Sequence, residues 1–543
     1  MGFRSVSTLA LAGVEKRHPF AVKRGLLAMF ALTLALGTSA AVQAETLRWS
    51  AAGSAVSFDP NASNQSFTST MLAMVYDGLV ARDGNLQLVP GLATSWEIVE
   101  PTRWRFALRA DVTFHGGEPF TADDVVATIQ RTIDPGSRNR GNLSNVVAAE
   151  KVDDLTVDLV LKGPYPLLLN DLAGISMMSK AWLEANNAVQ PGNMDTGVVT
   201  YAATHANGTG PFKLESYEPD AKTVFVANEN WWNAGDSNVD RVEYTPIRSD
   251  ATRVAALLSG EVDLISVLPL QDIARVSETP GVKVVENPSL RTIYLLFNWQ
   301  PESRSTAGQE NPLLDVRVRQ ALWHAIDLEA IHSRIMRGKS RVTGASVAPQ
   351  VPGYSPDLDV PLAYDPELAK SLLAEAGYPD GFTLKFGCPN DNYVAGEQIC
   401  LAIAGMWSRI GVQADLASES MATITPRVQQ GEFDVWLNGS ANLPAIDGFI
   451  MVSGSLATRG EVYGSSNHTG MSFPAIDDIV SQVATELDET RRRALLTEAL
   501  QIAHDEAMLI PIHQQPIAWA MKSNVEIPQL ADEAVRPWLA RIE

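Results

Sequence analysis

Residues 93–133 constrain the fold most, because three structural signals follow one another there. Apolar and charged residues alternate along residues 93–109 around a turn at Glu100-Pro101-Thr102, which is the pattern of two half-buried strands. Glycines and a proline interrupt the pattern at residues 115–119. Thr121 then stands at the N-cap of a helix whose apolar face is Val125, Val126, Ile129 and Ile133. The sequence therefore predicts a β-hairpin, a turn and a helix in this order.

The same stretch carries a specific string of residues: Ser95-Trp96, Trp104-Arg105-Phe106-x-Leu108-Arg109 and Phe114-His115-x-Gly117-x-Pro119-x-Thr121-Ala122-x-Asp124-Val125. This string resembles the signature of the family 5 extracellular solute-binding proteins, the dipeptide-, oligopeptide- and nickel-binding receptors of bacterial ABC importers. Further blocks that resemble the family begin at Gly208, Val316 and Tyr364. The resemblance implies an α/β, two-lobed periplasmic-binding-protein fold with mixed sheets and an extra subdomain in the first lobe.

The length of 543 residues is too great for a single hydrophobic core. A strand-helix-strand pattern at residues 240–265 is typical of an α/β lobe, and a new pattern of this kind begins at Leu290. With the resemblance, we expect these segments: a signal peptide at 1–44, lobe I at 45–75, an extra subdomain at 76–204, lobe I again at 205–288, lobe II at 289–507, and a return to lobe I at 508–543. The chain is then expected to cross between lobes near residues 286–291 and 505–514.

Two long helices are expected in the second lobe. One is predicted to begin at the N-cap Asp315 and to continue through Ile335, and the other to span residues 477–506. Asp365-Pro366 predicts the start of a further helix, with aspartate as N-cap and proline in the first turn.

The N-terminal residues have the form of a secretory signal. Lys23-Arg24 precede an apolar run at 26–36, and Val42-Gln43-Ala44 places small residues where signal peptidase reads them. Cleavage after Ala44 is expected, without lipid attachment because no cysteine lies nearby. No later apolar run approaches the ~18 residues of a membrane span. We therefore expect an exported, soluble, periplasmic protein.

The charge of the chain excludes some partners. The net charge is −21, and without residues 1–44 it becomes 37 minus 62, or −25. Such a surface repels nucleic acid and anionic lipid. It favours cationic or zwitterionic ligands over polyanions.

Cys388 and Cys400 are the two cysteines of the chain. An even pair in an exported protein predicts one disulfide, and two buried thiols are the alternative.

The common catalytic and metal-binding motifs are missing. Residues 333–340 lack the first glycine of a phosphate-binding loop and follow a helix instead of a strand. There is neither a Gly-x-Ser-x-Gly nor a His-Glu-x-x-His motif. His324 and His332 would lie two turns apart on one helix, too far for one metal ion, and His115 is expected to be structural. The sequence thus predicts no catalytic residue, no metal site and no cofactor.

Two loops are candidates for contact with a ligand. In peptide-binding members of the family, the strand and loop near residues 433–443 carry a tryptophan and an aspartate, and the aspartate binds the ligand ammonium. Here the matching positions are Ser440 and Leu443, so that anchor is absent. Dipeptide-binding relatives place a carboxylate-binding arginine where this chain has Asp391, which would repel a carboxylate or be a surface acid. The predicted ligand-binding residues are Ser57, Phe58, Asn390, Asp391, Tyr393, Trp436, Asn438, Gly439 and Ser440.

These features predict the substrate-binding component of an ABC importer, a monomer that delivers a small solute to permease subunits in the inner membrane. A peptide is the first ligand class, and an opine, an oligosaccharide or a metal chelate are alternatives. Two other functions remain open: an exported enzyme that uses Asp391 or Asp434 as acid or base, and a chaperone for unfolded segments.

Overall fold

The computed structural model describes residues 45–305, 309–468 and 470–543. The predicted signal peptide lies outside these residues. The strands are β1 (Glu45–Ser50), β2 (Val80–Arg82), β3 (Leu88–Pro90), β4 (Ala93–Glu100), β5 (Arg103–Leu108), β6 (Val146–Asp153), β7 (Thr156–Leu161), β8 (Phe212–Glu218), β9 (Lys222–Ala227), β10 (Val239–Tyr244), β11 (Leu264–Ser266), β12 (Val282–Phe297), β13 (Arg341–Val342), β14 (Thr383–Pro389), β15 (Gln413–Glu419), β16 (Val435–Ser440), β17 (Leu509–Lys522), β18 (Val525–Glu526) and β19 (Arg541–Ile542).

The α-helices alternate with these strands. They are α1 (Ser66–Leu72), α2 (Ala122–Ile133), α3 (Leu168–Leu172), α4 (Lys180–Ala185), α5 (Asp250–Ser259), α6 (Ile273–Ser277), α7 (Val316–His324), α8 (Leu328–Ala330), α9 (Pro366–Glu375), α10 (Gly396–Ser408), α11 (Met421–Gln429), α12 (Phe449–Met451), α13 (Pro474–Val483) and α14 (Glu489–Asp505).

A large mixed sheet runs through the molecule in the order β15-β14-β16-β12-β17-β11-β1-β10-β9-β8. On one side, β10 and β11 both pair in parallel with β1 and are joined by α5, as the strand-helix-strand pattern predicts. On the other side, β15 and β16 both pair in parallel with β14. We call these the lobe I strands and the lobe II strands of a two-lobed α/β fold.

Strands β12 and β17 join the two sides. They have 16 and 14 residues and pair antiparallel along most of their length. β17 also pairs with β11 of lobe I, and β12 also pairs with β16 of lobe II. Their register is interrupted between Pro288 and Thr292. The break lies between the lobe I strands and the lobe II strands. A change of backbone angles there disturbs the fewest hydrogen bonds between strands.

The sheet is covered on both faces by hydrophobic residues, as parallel strands require. Ile293, Leu295 and Phe297 pack into one core with the helices α7 and α10, while Tyr294 and Leu296 pack into a second core with α13 and α14. The alternation follows from the period of two along a strand. Lobe I has its own core, built around β1, β10 and the far part of β17.

The predicted hairpin and helix at residues 93–133 are confirmed. β4 and β5 form the hairpin and belong to a four-stranded antiparallel sheet with its own core. α2 begins after Thr121, and the carboxylate of Asp124 accepts hydrogen bonds from the Thr121 amide and hydroxyl at 2.8 and 3.0 Å. His115 is partly buried and its Nε2 bonds to the Gly210 carbonyl at 3.0 Å, which is a structural contact.

The two predicted long helices are each divided. α7 ends at His324, and a short helix and a π-helical turn at Ile331–Ile335 follow. The second predicted helix is two helices, α13 and α14, which pack together in one core around the break at residues 484–488. His324 and His332 therefore do not share one helix. His324 Nδ1 bonds to the Ala363 carbonyl, and His332 Nδ1 bonds to the Ser340 hydroxyl.

Candidate ligand-binding cleft

The carboxyl ends of the lobe II strands meet beside the register break. β14 ends at Pro389 and β16 at Ser440, which is opposite Thr292 on β12. In open α/β sheets, ligands bind outside the carboxyl ends of the parallel strands. This edge is therefore the candidate site. The loop with the predicted residues 390–393 begins here, and the predicted residues 438–440 are the last three of β16.

Three of the side chains at this edge form a hydrogen-bonded chain. Tyr393 donates its hydroxyl to Asn438 Oδ1 at 3.1 Å, and Asn438 Nδ2 donates to the Tyr294 hydroxyl at 3.3 Å. Burial raises the pKa of both tyrosines above the ordinary value. They are neutral at physiological pH and can only donate or accept hydrogen bonds to a ligand.

Gly439 allows Tyr393 to lie over strand β16. A Cβ atom at this position would lie 2.7 Å from Ile293 Cδ1 and 2.9 Å from Tyr393 Cε1. Both distances are shorter than van der Waals contact, so any larger residue would displace the tyrosine ring.

Asp391 has a structural partner. Its Oδ1 accepts a hydrogen bond of 2.7 Å from the amide of Met421, the first residue of α11. A carboxylate is favourable at a helix N-terminus because it satisfies a free amide and faces the positive end of the helix dipole. Asp391 and Asn390 are both exposed. The predicted ligand contact of Asp391 stays a prediction, and the structure adds this cap.

Ser57, Phe58 and Trp436 lie inside the protein. Ser57 and Phe58 are fully buried in the lobe I core, and Trp436 belongs to the second core of lobe II. The loop that carries Ser57 is held by a buried ion pair between Asp59 and Arg131, with two N–O distances of 2.6 Å. Burial alone would raise the pKa of Asp59, but the hydrogen bonds and charge of Arg131 outweigh it and the pKa is lowered.

Asp434, the second acid considered for catalysis, is structural. It is 2% exposed, and its carboxylate accepts hydrogen bonds from the amides of Arg304 and Lys385 and from the Ser305 hydroxyl. These bonds fix the loop after β12 against β14.

The predicted disulfide between Cys388 and Cys400 is confirmed, and the alternative of two free thiols is wrong. It joins the end of β14 to α10, and residues 390–395 form the loop between these two elements. The loop that presents Tyr393 is therefore closed covalently at its base.

A contact of the β2–β3 hairpin reaches across to lobe II. Arg82 donates to the carbonyl of Ala445, which follows β16, at 2.7 Å, and to Asn170 Oδ1 at 3.0 Å. Burial lowers the pKa of Arg82 to about 10, so it remains charged at neutral pH. This contact was not predicted from the sequence, because a single arginine in a short strand does not indicate which distant residue it will bind.

Arg291 is a second residue that sequence reasoning missed. It stands next to the register break, and its charge acts on both Tyr294 and Tyr393, opposing the rise in their pKa. Arg427, by contrast, is paired with Glu419 and Glu432 at 2.7 and 2.8 Å. The only indication of Arg291 in the sequence was a charged residue in the mostly apolar run 290–297.

The described residues contain neither a metal-binding cluster nor a membrane-spanning helix. No group of three or more histidine, cysteine, aspartate or glutamate side chains in residues 45–305, 309–468 and 470–543 is arranged to hold a metal ion. Within the same ranges, no helix has the length and apolarity needed to cross a membrane.

Known proteins share this architecture. The chain is 27% identical over 536 residues to the dipeptide-binding protein of Escherichia coli, covering 93% of this chain and 96% of that protein. It is 29% identical over 490 residues to heme-binding protein A of Haemophilus influenzae, covering 84% and 85%. Among solved structures, HbpA2 of Haemophilus parasuis superimposes with a TM-score of 0.79 at 26% identity, covering 92% of this chain and all of that one.

A family model also matches most of the chain. Residues 87–455 match the model of the bacterial extracellular solute-binding proteins, family 5. This range includes the four-stranded sheet, the register break and the edge that carries Tyr393 and Asn438. The two-lobed sheet, the crossing strands and the sequence match agree, and the protein is a member of the family 5 bacterial extracellular solute-binding proteins.

Proposed function

We propose that this protein is the substrate-binding component of an ABC importer and that it captures a peptide or peptide-like solute between its lobes. The observation that carries the proposal is the pair of crossing strands, β12 and β17, whose register is broken beside a polar edge of lobe II. It acts as a monomer in the periplasm, catalyses no reaction and delivers the solute to permease subunits of the inner membrane. The similarity to a dipeptide-binding protein supports peptide as the ligand class.

The geometry supports capture by hinge closure. Residues 289–291 and the segment around Gln515 are the places where backbone angles can change without breaking the paired parts of β12 and β17. Gln515 also accepts a hydrogen bond of 3.0 Å from the amide of Val394, which links the hinge to the loop that holds Tyr393. A ligand that contacts both lobes stabilises the closed form, and the Arg82 contact with Ala445 adds to it.

Native mass spectrometry of protein purified without denaturation tests the proposal. We expect a bound solute of one molecule per chain that is recovered unchanged after denaturation and that rebinds saturably in titration calorimetry. A solute that is chemically converted would show an enzyme instead. Weak binding of many unrelated unfolded peptides without saturation would show a chaperone.

A metal chelate is the second candidate ligand, because one relative is a heme-binding protein at 29% identity. Visible absorption of the purified protein and titration with hemin distinguish it from a peptide. A stoichiometric absorption band would favour the chelate.

A further inference from the structure

We propose that Arg291 binds a carboxylate of the transported solute, so that the natural ligand is a carboxylate-bearing, zwitterionic or anionic molecule. This inference rests on the proposed function and names the chemistry of its ligand. Arg291 lies on β12. This position differs from that of Asp391, where dipeptide-binding relatives have the arginine that binds a carboxylate.

Arg291 has no partner for its charge. Among the described residues, no carboxylate forms an ion pair with its guanidinium group and no oxygen accepts a hydrogen bond from it. Its backbone amide alone is bonded, to Ser289 Oγ at 3.1 Å. The chain has 63 acidic residues against 42 basic ones, so acids to pair with it are abundant. A partly buried guanidinium without a partner is unfavourable, because it loses hydration without compensation.

The buried arginines elsewhere in the described chain show the contrast. Arg131 is paired with Asp59, and Arg492 with Asp447 at 2.7 Å. Arg319, which is also buried, donates to the carbonyls of Leu313 and Glu506. The fold thus gives each of these three buried guanidinium groups an internal carboxylate or carbonyl partner, whereas Arg291 has none among the described residues.

Other polar groups at the same edge are also unsatisfied. The Thr292 hydroxyl and both polar atoms of the Asn442 side chain have no hydrogen-bond partner, although both residues are 1% exposed. Thr292 is opposite Ser440 on β16. The backbone amide of Asn442 donates to Ser440 Oγ at 3.2 Å. Buried polar atoms are rarely left without partners. Thr292 and Asn442 both lie near the register break that Arg291 borders, so polar atoms of a bound molecule could supply their missing partners there.

The backbone on both sides of Arg291 is hydrogen-bonded in this conformation. The Leu290 amide donates to the Ala531 carbonyl at 2.8 Å, and Gln514 donates to the Ser289 carbonyl. Thr292 begins the second paired part of β12. Arg291 therefore lies at the end of the hinge segment, directly before this paired part, and its charge acts on Tyr294 and Tyr393. Arginine in such a setting can donate two parallel hydrogen bonds to a carboxylate.

Matched pairs of peptides test the proposal: Ala-Leu against Ala-Leu amide, and Ala-Ala-Ala against its amide. The members of a pair differ in the carboxylate alone. Binding is measured by titration calorimetry with the full mature protein, with Arg291→Gln and with Arg291→Lys. Arg409→Gln is the matched control, since it removes the same charge from an exposed residue after α10 that has no ion pair in the described chain. Circular dichroism confirms that each variant is folded.

We expect the wild-type protein to prefer the free acid by about 30-fold or more. Arg291→Gln should lose that preference and bind the amide as the wild type does, Arg291→Lys should keep part of it, and Arg409→Gln all of it. An unchanged preference in Arg291→Gln, or equal wild-type binding of acid and amide, overturns the role of Arg291.

Mass spectrometry of the co-purifying solute separates this inference from the proposed function. Recovery of a carboxylate-bearing solute from the wild type, and its loss from Arg291→Gln, supports both. A recovered solute without a carboxylate overturns the role of Arg291 and leaves the capture function standing. If no solute is recovered and no peptide binds, both proposals are overturned.

Discussion

At the scale of single residues, the candidate edge combines groups that are already satisfied with groups that are not. Tyr393 and Asn438 bond to each other and are held in place before a ligand arrives. Asp391 bonds to the start of α11, whereas Arg291 has no partner in the described chain. The two charged residues thus have different tasks: one stabilises a helix and the other is open to a ligand.

Replacement of Asp391 tests the structural task. Asp391→Ala should lower the free energy of unfolding by about 1 kcal/mol, because the Met421 amide loses its acceptor. Asp391→Asn keeps an acceptor oxygen and should lose less. Urea unfolding of the ligand-free proteins measures both. Equal stability of Asp391→Ala and the wild type would show that the cap contributes nothing.

Replacement of Gly439 tests the packing under Tyr393. Gly439→Ala should destabilise the protein by about 1–3 kcal/mol, because its Cβ would overlap Ile293 and Tyr393. Gly405→Ala is the matched control: Gly405 lies in α10 with nothing within 4 Å of an added Cβ. There the same change should stabilise by about 0.5–1 kcal/mol. If urea unfolding showed that Gly439→Ala and Gly405→Ala change the stability in the same direction, this explanation would be wrong.

At the scale of elements, the loop between β14 and α10 positions the site. Cys388 lies in β14 before this loop and Cys400 lies in α10 after it, so the disulfide closes a short covalent ring that contains Tyr393. Both cysteines are fully buried in the lobe II core. The cross-link therefore restrains the loop without taking part in ligand contact itself.

Loss of this disulfide should destabilise the protein by about 3 kcal/mol, because the open loop gains chain entropy in the unfolded state. The double variant Cys388→Ser and Cys400→Ser is compared with the wild type in urea unfolding, with and without reductant. Reductant should destabilise the wild type and leave the double variant unchanged. A wild-type protein that is equally stable in both conditions would refute the contribution.

At the scale of the whole molecule, the pKa of a buried carboxyl group in the segment before lobe II depends in part on a charge in lobe II. Asp171, on α3, accepts a hydrogen bond from the Tyr165 hydroxyl at 2.5 Å. Burial, together with the charge of Asp447 from lobe II, raises the pKa of Asp171 to about 7. The folded protein therefore holds a proton there that the unfolded chain would release at about pH 4.

This raised pKa predicts a loss of stability toward alkaline pH. The contribution of Asp171 is fully present below about pH 4 and disappears as the pH rises through about 7, by about 1.4 kcal/mol per pH unit in between. Asp171→Asn, which resembles the protonated acid, should remove this dependence. The difference between the unfolding free energies of the two proteins from pH 5 to 8 cancels the other titrating groups. Parallel curves would contradict the prediction.

The sequence by itself determined the local elements, the family and the disulfide. The hairpin at residues 93–108 and the capped helix starts at Thr121 and Asp365 were predicted, because a few neighbouring side chains decide such structures. Tertiary structure alone decided the breaks at residues 325–327 and 484–488, since packing against the sheet overrides helical periodicity.

Tertiary structure also decided what each charge does. Asp391 and Met421, Arg82 and Ala445, and Asp171 and Asp447 are far apart along the chain and come together only in the fold. Arg291 shows the same limit: an arginine in a strand is visible in the sequence, but its lack of a partner is a property of everything around it. Local patterns specify elements through near neighbours, whereas burial and charge pairing depend on residues that the fold brings together.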